Sequence, residues 1–293
     1  LLSTLPAGAP AGLVEEAAQE WRIPVVAYRP RRPHHSWRGA AVAGPAVPAV
    51  LAGGSPARPL RGVRVVDLTA MWAGPLATWL LAALGAEVVK IESAVRPDGM
   101  RGQPALFAAL DAGKRHLDLD LREPPAVAAL EALIAGSHVI VDSFSPRVLP
   151  NLGLDRDRLV ALNPAVVAVS VPAFVPGTAE WSWVSYGTGV HAFAGLGDLG
   201  EGRVAAPSVT YPDPLGGFAA FAAVVEGLAA GGGFAAASLL AAVAPLAATA
   251  APGAARSLGA AVEPVAEALV EDLGGRGRLG AVEVAPPFVV EGA

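Results

Sequence analysis

Basic side chains recur where the strands of a predicted sheet end, and this placement suits an anionic ligand. The residues concerned are Arg96, Arg101, Lys114, Arg115 and Arg122. Lys and Arg form charge-assisted hydrogen bonds to phosphate. The formal net charge of the chain is −5, so an anion has to be held by local positive charge of this kind. The pattern predicts a phosphate site at the ends of adjacent parallel strands.

A carboxylate, Asp213, precedes an Ala-rich apolar run in the stretch 211–230. Asp followed by Pro is a good helix N-cap with Pro at the first helical position, worth about 1 kcal/mol. A carboxylate is also a nucleophile that can attack an acyl group. The residues alone leave both roles open, and the two roles do not exclude each other.

The elements that position these residues are organised around the stretch 61–92. An apolar run ending at Leu68 predicts a strand buried on both faces. A short turn, AMWAGP, follows, and helical spacing then runs from Gly74 to a stop at Gly85. EVVKIE predicts a second strand. In this βαβ unit the turn lies at the carboxyl end of the first strand, where small residues and free N–H groups can receive an anion.

The rest of the chain repeats this alternation. We predict helices over 12–21 and 124–135, and strands over IPVVAY, HLDLDLR, HVIVDS and LNPAVVAVSV. The run from Gly216 to Ala251 predicts buried helices, with the glycines at 231–233 in a turn between two of them. Strands that alternate with helices form a parallel sheet with its ligand crevice at the carboxyl ends. The predicted fold class is therefore α/β, with a Rossmann-like, doubly wound, mostly parallel sheet.

Composition excludes several kinds of site. The chain has no cysteine, hence no disulfide and no catalytic thiol. His34 and His35 have no third ligand nearby, so we predict no metal. The negative net charge argues against nucleic acid as a partner.

The mean hydropathy of +0.49 raises the question of a membrane span. The Ala- and Gly-rich run at 216–251 inserts weakly, so we expect no membrane span. Without a signal peptide pattern, we expect a cytoplasmic protein.

Five ordered motifs resemble the family III (CaiB/BaiF) CoA-transferases, whose relatives include α-methylacyl-CoA racemases. They are LRGVRVVDLTAMWAGPLATWLLAALGAEVVKIE, GKRHLDLDLR, VIVDSFSPRVLPNLGLD, LNPAVVAVSV and YPDPLGGFAAFAAVVEGLAA. Together they cover about half of the chain in the family's order. The resemblance implies coenzyme A as a substrate, held as an acyl-CoA, with a carboxylic acid as the second substrate and a homodimer as the assembly.

The resemblance also implies which residues contact CoA. Basic residues of the family meet the nucleotide and the phosphates, with an apolar side chain near the adenine. Asn151 stands where relatives often carry Arg, so either Arg147 compensates or that contact is lost. The implied CoA-binding residues are Met71, Trp72, Ala73, Arg96, Arg101, Leu119, Arg122, Arg147, Leu152 and Tyr186.

Two positions separate the chemistries of the family. The racemase branch carries an Asp at the position of Gly187, so that interpretation loses support here, and His191 is better explained as a packed histidine than as a base. The transferase branch places its Asp at Asp213. The resemblance therefore implies that Asp213 is the catalytic nucleophile, which passes through an acyl anhydride and an aspartyl-CoA thioester.

The chain departs from the family in its organisation. We predict a tail-like N-terminal segment and linker over 1–58, a CoA-binding domain over 59–250, and a C-terminal helix and tail strand over 251–293 on the same domain. Little room is left for the family's second, smaller domain. Two alternatives to a transferase therefore stay open. One is a non-catalytic CoA-binding or structural half of a tandem or hetero-oligomeric assembly, and the other is an isomerase, racemase or lyase acting on acyl-CoA.

Overall fold

The computed structural model describes residues 8–29, 54, 55 and 57–249. Within these ranges the helices are α1 Ala11–Glu20, α2 Ala73–Ala83, α3 Pro104–Asp111, α4 Pro124–Ala135, α5 Val148–Asn151, α6 Arg156–Leu162, α7 Gly187–Phe193, α8 Pro212–Ala230 and α9 Leu239–Thr249. The strands are β1 Arg64–Leu68, β2 Glu87–Glu92, β3 Arg115–Asp118, β4 Val139–Asp142, β5 Val167–Ser170, β6 Asp198–Gly200, β7 Arg203–Val204 and β8 Gly233–Ala236.

Six of these strands form one sheet in the order β3-β2-β1-β4-β5-β8. Every pairing in it is parallel. The short strands β6 and β7 form a separate antiparallel pair. This is the strand order of a doubly wound Rossmann sheet, in which the order reverses next to β1. The predicted fold class is confirmed.

The sheet is buried on both faces, as the apolar run in β1 requires. Val65 packs in a core cluster with residues of α2, α8 and α9. Val66, the next residue along β1, packs in a second cluster with residues of α4 and α6. Both valines are about 1% exposed. Because successive strand residues point to opposite faces, one apolar run serves two helical layers.

The end of α2 shows why the chain turns back into β2. Gly85 adopts a φ of +101°, a left-handed conformation that glycine takes without a Cβ penalty. Its N–H donates to Ala82 O at 2.9 Å, and the N–H of Ala86 donates to Leu81 O at 3.0 Å. This pair of bonds is a Schellman motif, which satisfies the last helical carbonyls. The predicted βαβ unit is present with this stop signal.

The sequence analysis predicted that the glycines at 231–233 form a turn between two helices, and this prediction is wrong. Gly231 and Gly232 have φ values of +82° and +131°, which end α8 and redirect the chain. Gly233 then opens β8, and its N–H donates to Val166 O at 2.9 Å. β8 pairs in parallel with β5. A strand of sequence GFAA lacks β-branched residues, which explains why its pattern gave no strand signal.

Other boundaries also differ from the prediction. IPVVAY runs without strand pairing beside α7. The third strand ends at Asp118, and Arg122 lies beyond it in a turn. Helices α3 and α6 and the β6–β7 pair were not predicted. The expected C-terminal helix and the segment 251–293 lie outside the described residues, and the domain boundaries stay a prediction.

Among the described residues, one helix, Pro212–Ala230, is long and apolar enough to cross a membrane by length and composition. In this fold the same helix, α8, packs against α2, α9 and β5. Residues of three of its turns, Ala220, Val224 and Leu228, are at most 3% exposed and belong to the core.

Candidate active site

The first turn of α8 and the turn after β1 lie at the same edge of the sheet. α8 leads through two glycines into the parallel strand β8, so it runs against the strands and begins at their carboxyl ends. α8 also packs closely on α2. A Cβ at Gly217 would lie 2.7 Å from Ala73 O. Because Asp213 precedes Gly217 by about one helical turn, its carboxylate and the Met71–Ala73 turn belong to one site.

Asp213 is the second residue of α8, not its N-cap. The N-cap is Tyr211, and Pro212 is the first helical residue. The predicted capping role of Asp213 is therefore wrong by two positions. Its side chain instead accepts hydrogen bonds from the Thr210 side chain, from the backbone N–H of Gly187 and from its own backbone N–H. The residue is 8% exposed. Two of the three donors thus come from segments outside α8.

Gly187 makes this arrangement possible because it has no side chain. A Cβ on Gly187 would lie 1.9 Å from Asp213 Oδ2 and 2.7 Å from its Cγ. Gly187 is the first residue of α7, where backbone N–H groups have no partner within the helix. The carboxylate of Asp213 takes up one of these donors at close range.

Burial raises the pKa of Asp213, and the hydrogen bonds from Thr210 and Gly187 offset only part of that rise. A desolvated carboxylate held by few donors is a stronger nucleophile than one surrounded by water. Exposed apolar side chains flank its two donors in sequence. They are Tyr186, 48% exposed, and Val209, 54% exposed. A buried carboxylate whose donors have apolar neighbours in the chain suits attack on an acyl group.

His191 has no role as a base in this geometry. It is 4% exposed, and the Tyr211 hydroxyl lies 2.7 Å from its Nδ1. Its other contact is a hydrogen bond with the backbone of Ala205. Burial lowers the pKa of His191 to about 4, so the ring is neutral near pH 7. His191 therefore packs the loop before Asp213 against α7.

The turn after β1 is held by a buried ion pair. Met71 has a φ of +69°, which is unusual for a residue with a side chain. Its N–H donates to Asp98 Oδ1 at 2.9 Å. The other oxygen of Asp98 accepts from Lys90 Nζ at 3.0 Å, and the same ammonium donates to Thr69 O at 2.8 Å. Both charged side chains are 2% exposed. The pair fixes the turn after β1 to the loop after β2.

A second buried ion pair lies beneath the same turn. Lys114 Nζ is 2.9 Å from Asp67 Oδ2, and both side chains are fully buried. The ammonium also donates to Thr78 Oγ1 at 2.7 Å. Burial alone would raise the pKa of Asp67, but Lys114 and Lys90 together hold it below its usual value. Lys114, predicted among the phosphate-binding cations, is therefore committed to the core.

The predicted basic residues differ in what they bind. Arg101 is paired with Glu92 through two contacts of 2.6 and 2.8 Å, which lowers the pKa of Glu92 to about 2. Arg122 is paired with Asp120, two residues away, and its side chain is 70% exposed. Arg96 lies on an exposed loop after β2. These cations lie in the loops after β2 and β3. The structure pairs Arg101 with the carboxylate of Glu92, whereas Arg96 is exposed to solvent.

The remaining predicted CoA-binding residues are spread along the same edge. Leu119 and Leu152 are half-buried against the second core cluster, and Trp72 caps α2. Arg147 is an exposed residue at the start of α5. Burial lowers the pKa of Arg22, and the nearby charge of Arg147 lowers it further. The N-terminal segment thus brings a second cation near Arg147.

Sequence reasoning missed the residues that hold the site together. Thr210 and the Gly187 N–H carry no pattern of their own, since each acts through contacts between distant segments. Asp98 and Lys90 occur in a loop and a strand whose local pattern does not reveal that they pair. Within the described residues no group of three or more His, Cys, Asp or Glu side chains could hold a metal ion.

The parallel sheet, with these side chains at the carboxyl ends of its strands, defines an α/β domain of the doubly wound class. Domains of this class bind ligands outside the carboxyl ends of their strands. Comparison with known proteins identifies the family within that class. The model of CoA-transferase family III matches residues 60–265. The chain belongs to this family.

Solved structures and curated proteins resemble parts of the chain. A hypothetical protein of Mycobacterium tuberculosis matches with a TM-score of 0.60 and 28% identity, over 66% of this chain and 58% of that one. A CAIB/BAIF family protein of Brucella suis matches with a TM-score of 0.61 and 25% identity, over 68% and 58% of the two chains. A formyl-CoA:oxalate CoA-transferase of Rhodopseudomonas palustris is 36% identical over 129 residues.

These matches are partial on the side of the relatives. The alignment with the Rhodopseudomonas palustris transferase covers 41% of this chain and 30% of that protein. The chain therefore spans less than a third of the length of that curated relative, and 58% of the length of the two solved structures.

Proposed function

We propose that this chain transfers CoA between an acyl-CoA thioester and a carboxylic acid, with Asp213 as the nucleophile. The observation that carries the proposal is the state of Asp213. It is a buried carboxylate with a raised pKa, held by Thr210 and Gly187 at the carboxyl edge of the sheet. Membership of CoA-transferase family III supports the same reaction class.

The chemistry proceeds through covalent exchange on that carboxylate. An oxygen of Asp213 attacks the thioester carbonyl, the C–S bond breaks, and CoA leaves as a thiolate from a mixed anhydride. The thiolate then attacks the aspartyl carbonyl, which releases the first acid and leaves an aspartyl-CoA thioester. The second acid attacks that thioester, and the thiolate returns to the new anhydride to form the new acyl-CoA. No oxidant or net proton is required.

Each tetrahedral intermediate carries an oxyanion that needs hydrogen-bond donors. The turn after β1 lies next to the first turn of α8, and α2 begins there with backbone N–H groups that lack helical partners. The buried pair of Lys90 and Asp98 fixes this turn. We assign it to the reacting end of the thioester, and we assign the exposed cations Arg96, Arg122 and Arg147 to the phosphates of CoA.

One alternative function is a non-catalytic CoA-binding or structural half of a tandem or hetero-oligomeric assembly. A lyase or isomerase acting on acyl-CoA is a further alternative on this fold. Racemisation is the least supported, since Gly187 presents backbone where that branch carries an Asp. A homodimer and a cytoplasmic location remain part of the proposal.

The deciding experiment is intact-protein mass spectrometry after incubation with a panel of acyl-CoA thioesters. The wild type and Asp213→Asn are compared, with hydroxylamine trapping. A hydroxylamine-sensitive adduct on the wild type alone supports the transferase and names a competent acyl group. CoA binding without any adduct supports the non-catalytic alternative. Conversion of one acyl-CoA in the absence of an acceptor acid supports a lyase or isomerase.

A further inference from the structure

The N-terminal segment, which the proposed function does not use, is joined by a paired contact to the residues that lead into α7. Gln19 of α1 donates from Nε2 to Val184 O at 3.0 Å. Its Oε1 accepts from the N–H of Val184 at 2.7 Å. Both backbone polar groups of Val184 are thus satisfied by one side chain, across 165 residues of sequence. Gln19 is 7% exposed, so these bonds form away from water, where an unmade bond is costly.

Further contacts extend this joint along α7. Arg22 donates from its guanidinium to Ser182 O, before the helix. The N–H of Arg29 donates to Ala192 O at 3.1 Å, near the end of the helix. Between them, a Cβ at Gly189 would lie 3.1 Å from Val26 Cγ2. The N-terminal segment therefore contacts α7 before, within and at the end of the helix.

The segment is itself anchored by a buried carboxylate. Glu15 is 3% exposed and accepts from the N–H of Ala27 at 2.9 Å. It also pairs with Arg29 at 2.8 Å, and the guanidinium of Arg29 lies 4.3 Å from the ring centroid of Phe193. These contacts close the segment on itself and against the end of α7, so it acts as one unit.

α7 has only seven residues, too few to be stable without tertiary contacts. Its first residue, Gly187, supplies the N–H that Asp213 accepts. Val184, which Gln19 holds, lies three residues before it. The position of the Gly187 N–H therefore depends on how firmly the N-terminal segment holds the entry to α7.

We infer that the N-terminal segment 8–29 is a working part of the active site, and that Gln19 is a positioning residue that sets the Gly187 N–H against the Asp213 carboxylate. The inference rests on the proposed function for its catalytic consequence. Gln19 touches no reacting atom, and its effect passes through Val184 to Gly187.

The test compares the wild type with Gln19→Met, which at similar volume removes the two hydrogen bonds to Val184 and a third from Gln19 Nε2 to Val25 O. Glu20→Met, an exposed neighbour on α1, is the matched control. The first readout is an NMR pH titration of the Gly187 amide resonance, which reports the ionisation of the carboxylate it binds. Burial raises the pKa of Asp213, and the hydrogen bonds from Thr210, Gly187 and its own backbone lower it. Loss of the Gly187 bond therefore moves the midpoint to higher pH.

The second readout is the rate of adduct formation with an acyl-CoA that acylates the wild type. We expect the maximal rate of adduct formation to fall at least tenfold in Gln19→Met. The pH at which this rate rises with deprotonation of Asp213 should be higher than in the wild type. The acyl-CoA concentration that gives half the maximal rate should change less than twofold. An unchanged amide midpoint in Gln19→Met, or equal changes in Glu20→Met, overturns the inference. If the wild type forms no adduct, the proposed function fails, and the amide titration still decides the role of Gln19.

Discussion

The contact between Gly187 and Asp213 can be tested by adding one methyl group. A Cβ at position 187 would lie 1.9 Å from Asp213 Oδ2, whereas ordinary contact begins near 3.4 Å. In Gly187→Ala the carboxylate therefore has to move by about 1.5 Å. Because a displacement of about 1 Å can cost about 100-fold in rate, we expect acylation of Asp213 to slow by at least that factor.

Gly187→Ala should remain folded, with a modest loss in its free energy of unfolding, although its acylation rate falls steeply. Overpacking a buried site costs about 1–3 kcal/mol, and the φ of Gly187 is not in the left-handed region. The assay is the rate of hydroxylamine-sensitive adduct formation by mass spectrometry, beside urea unfolding. Gly12→Ala is the control, since a Cβ there meets nothing within 4 Å. Acylation at the wild-type rate in Gly187→Ala would show that Asp213 does not react from the position described.

Three further outcomes are expected. Burial raises the pKa of Asp213, so the folded state loses stability as the pH rises through that pKa. Asp213→Asn should therefore unfold at a higher temperature than the wild type at pH 7, with the difference shrinking toward pH 4 in thermal melts followed by circular dichroism. Lys114→Met should cost about 3–5 kcal/mol in urea unfolding because it leaves Asp67 buried without its partner, and adding Asp67→Asn should recover most of that loss. Arg122→Ala should weaken CoA binding about tenfold in calorimetry with an unchanged melting temperature, and equal affinity would remove Arg122 from the phosphate site.

The sequence predicted the fold well where local signals agreed. β1 and α2 were identified because an apolar run, helical spacing and a stop at Gly85 all indicated the same unit. β8 was missed because its sequence, GFAA, lacks β-branched residues and follows two glycines. A strand of this kind is stabilised by its neighbour β5 and not by its own propensity.

The candidate site was predictable only in part. Asp213 and the turn after β1 were predicted from their motifs and their place in the alternation of strands and helices, and their role in a site stays a prediction. Lys114 was misjudged because a basic residue before a strand is indistinguishable in sequence from a phosphate ligand. Its ion pair with Asp67 joins residues 47 positions apart. The donors to Asp213 were missed for the same reason, since they come together only when α7 and α8 pack.

The absence of a side chain at Gly187 also limits what this position can accept. Even a Cβ at 187 would overlap Asp213 Oδ2, so any larger residue has to displace either the carboxylate or the backbone beside it. Position 187 therefore contributes to this site through its backbone N–H alone, and its identity as glycine is as tightly constrained as that of the carboxylate it faces.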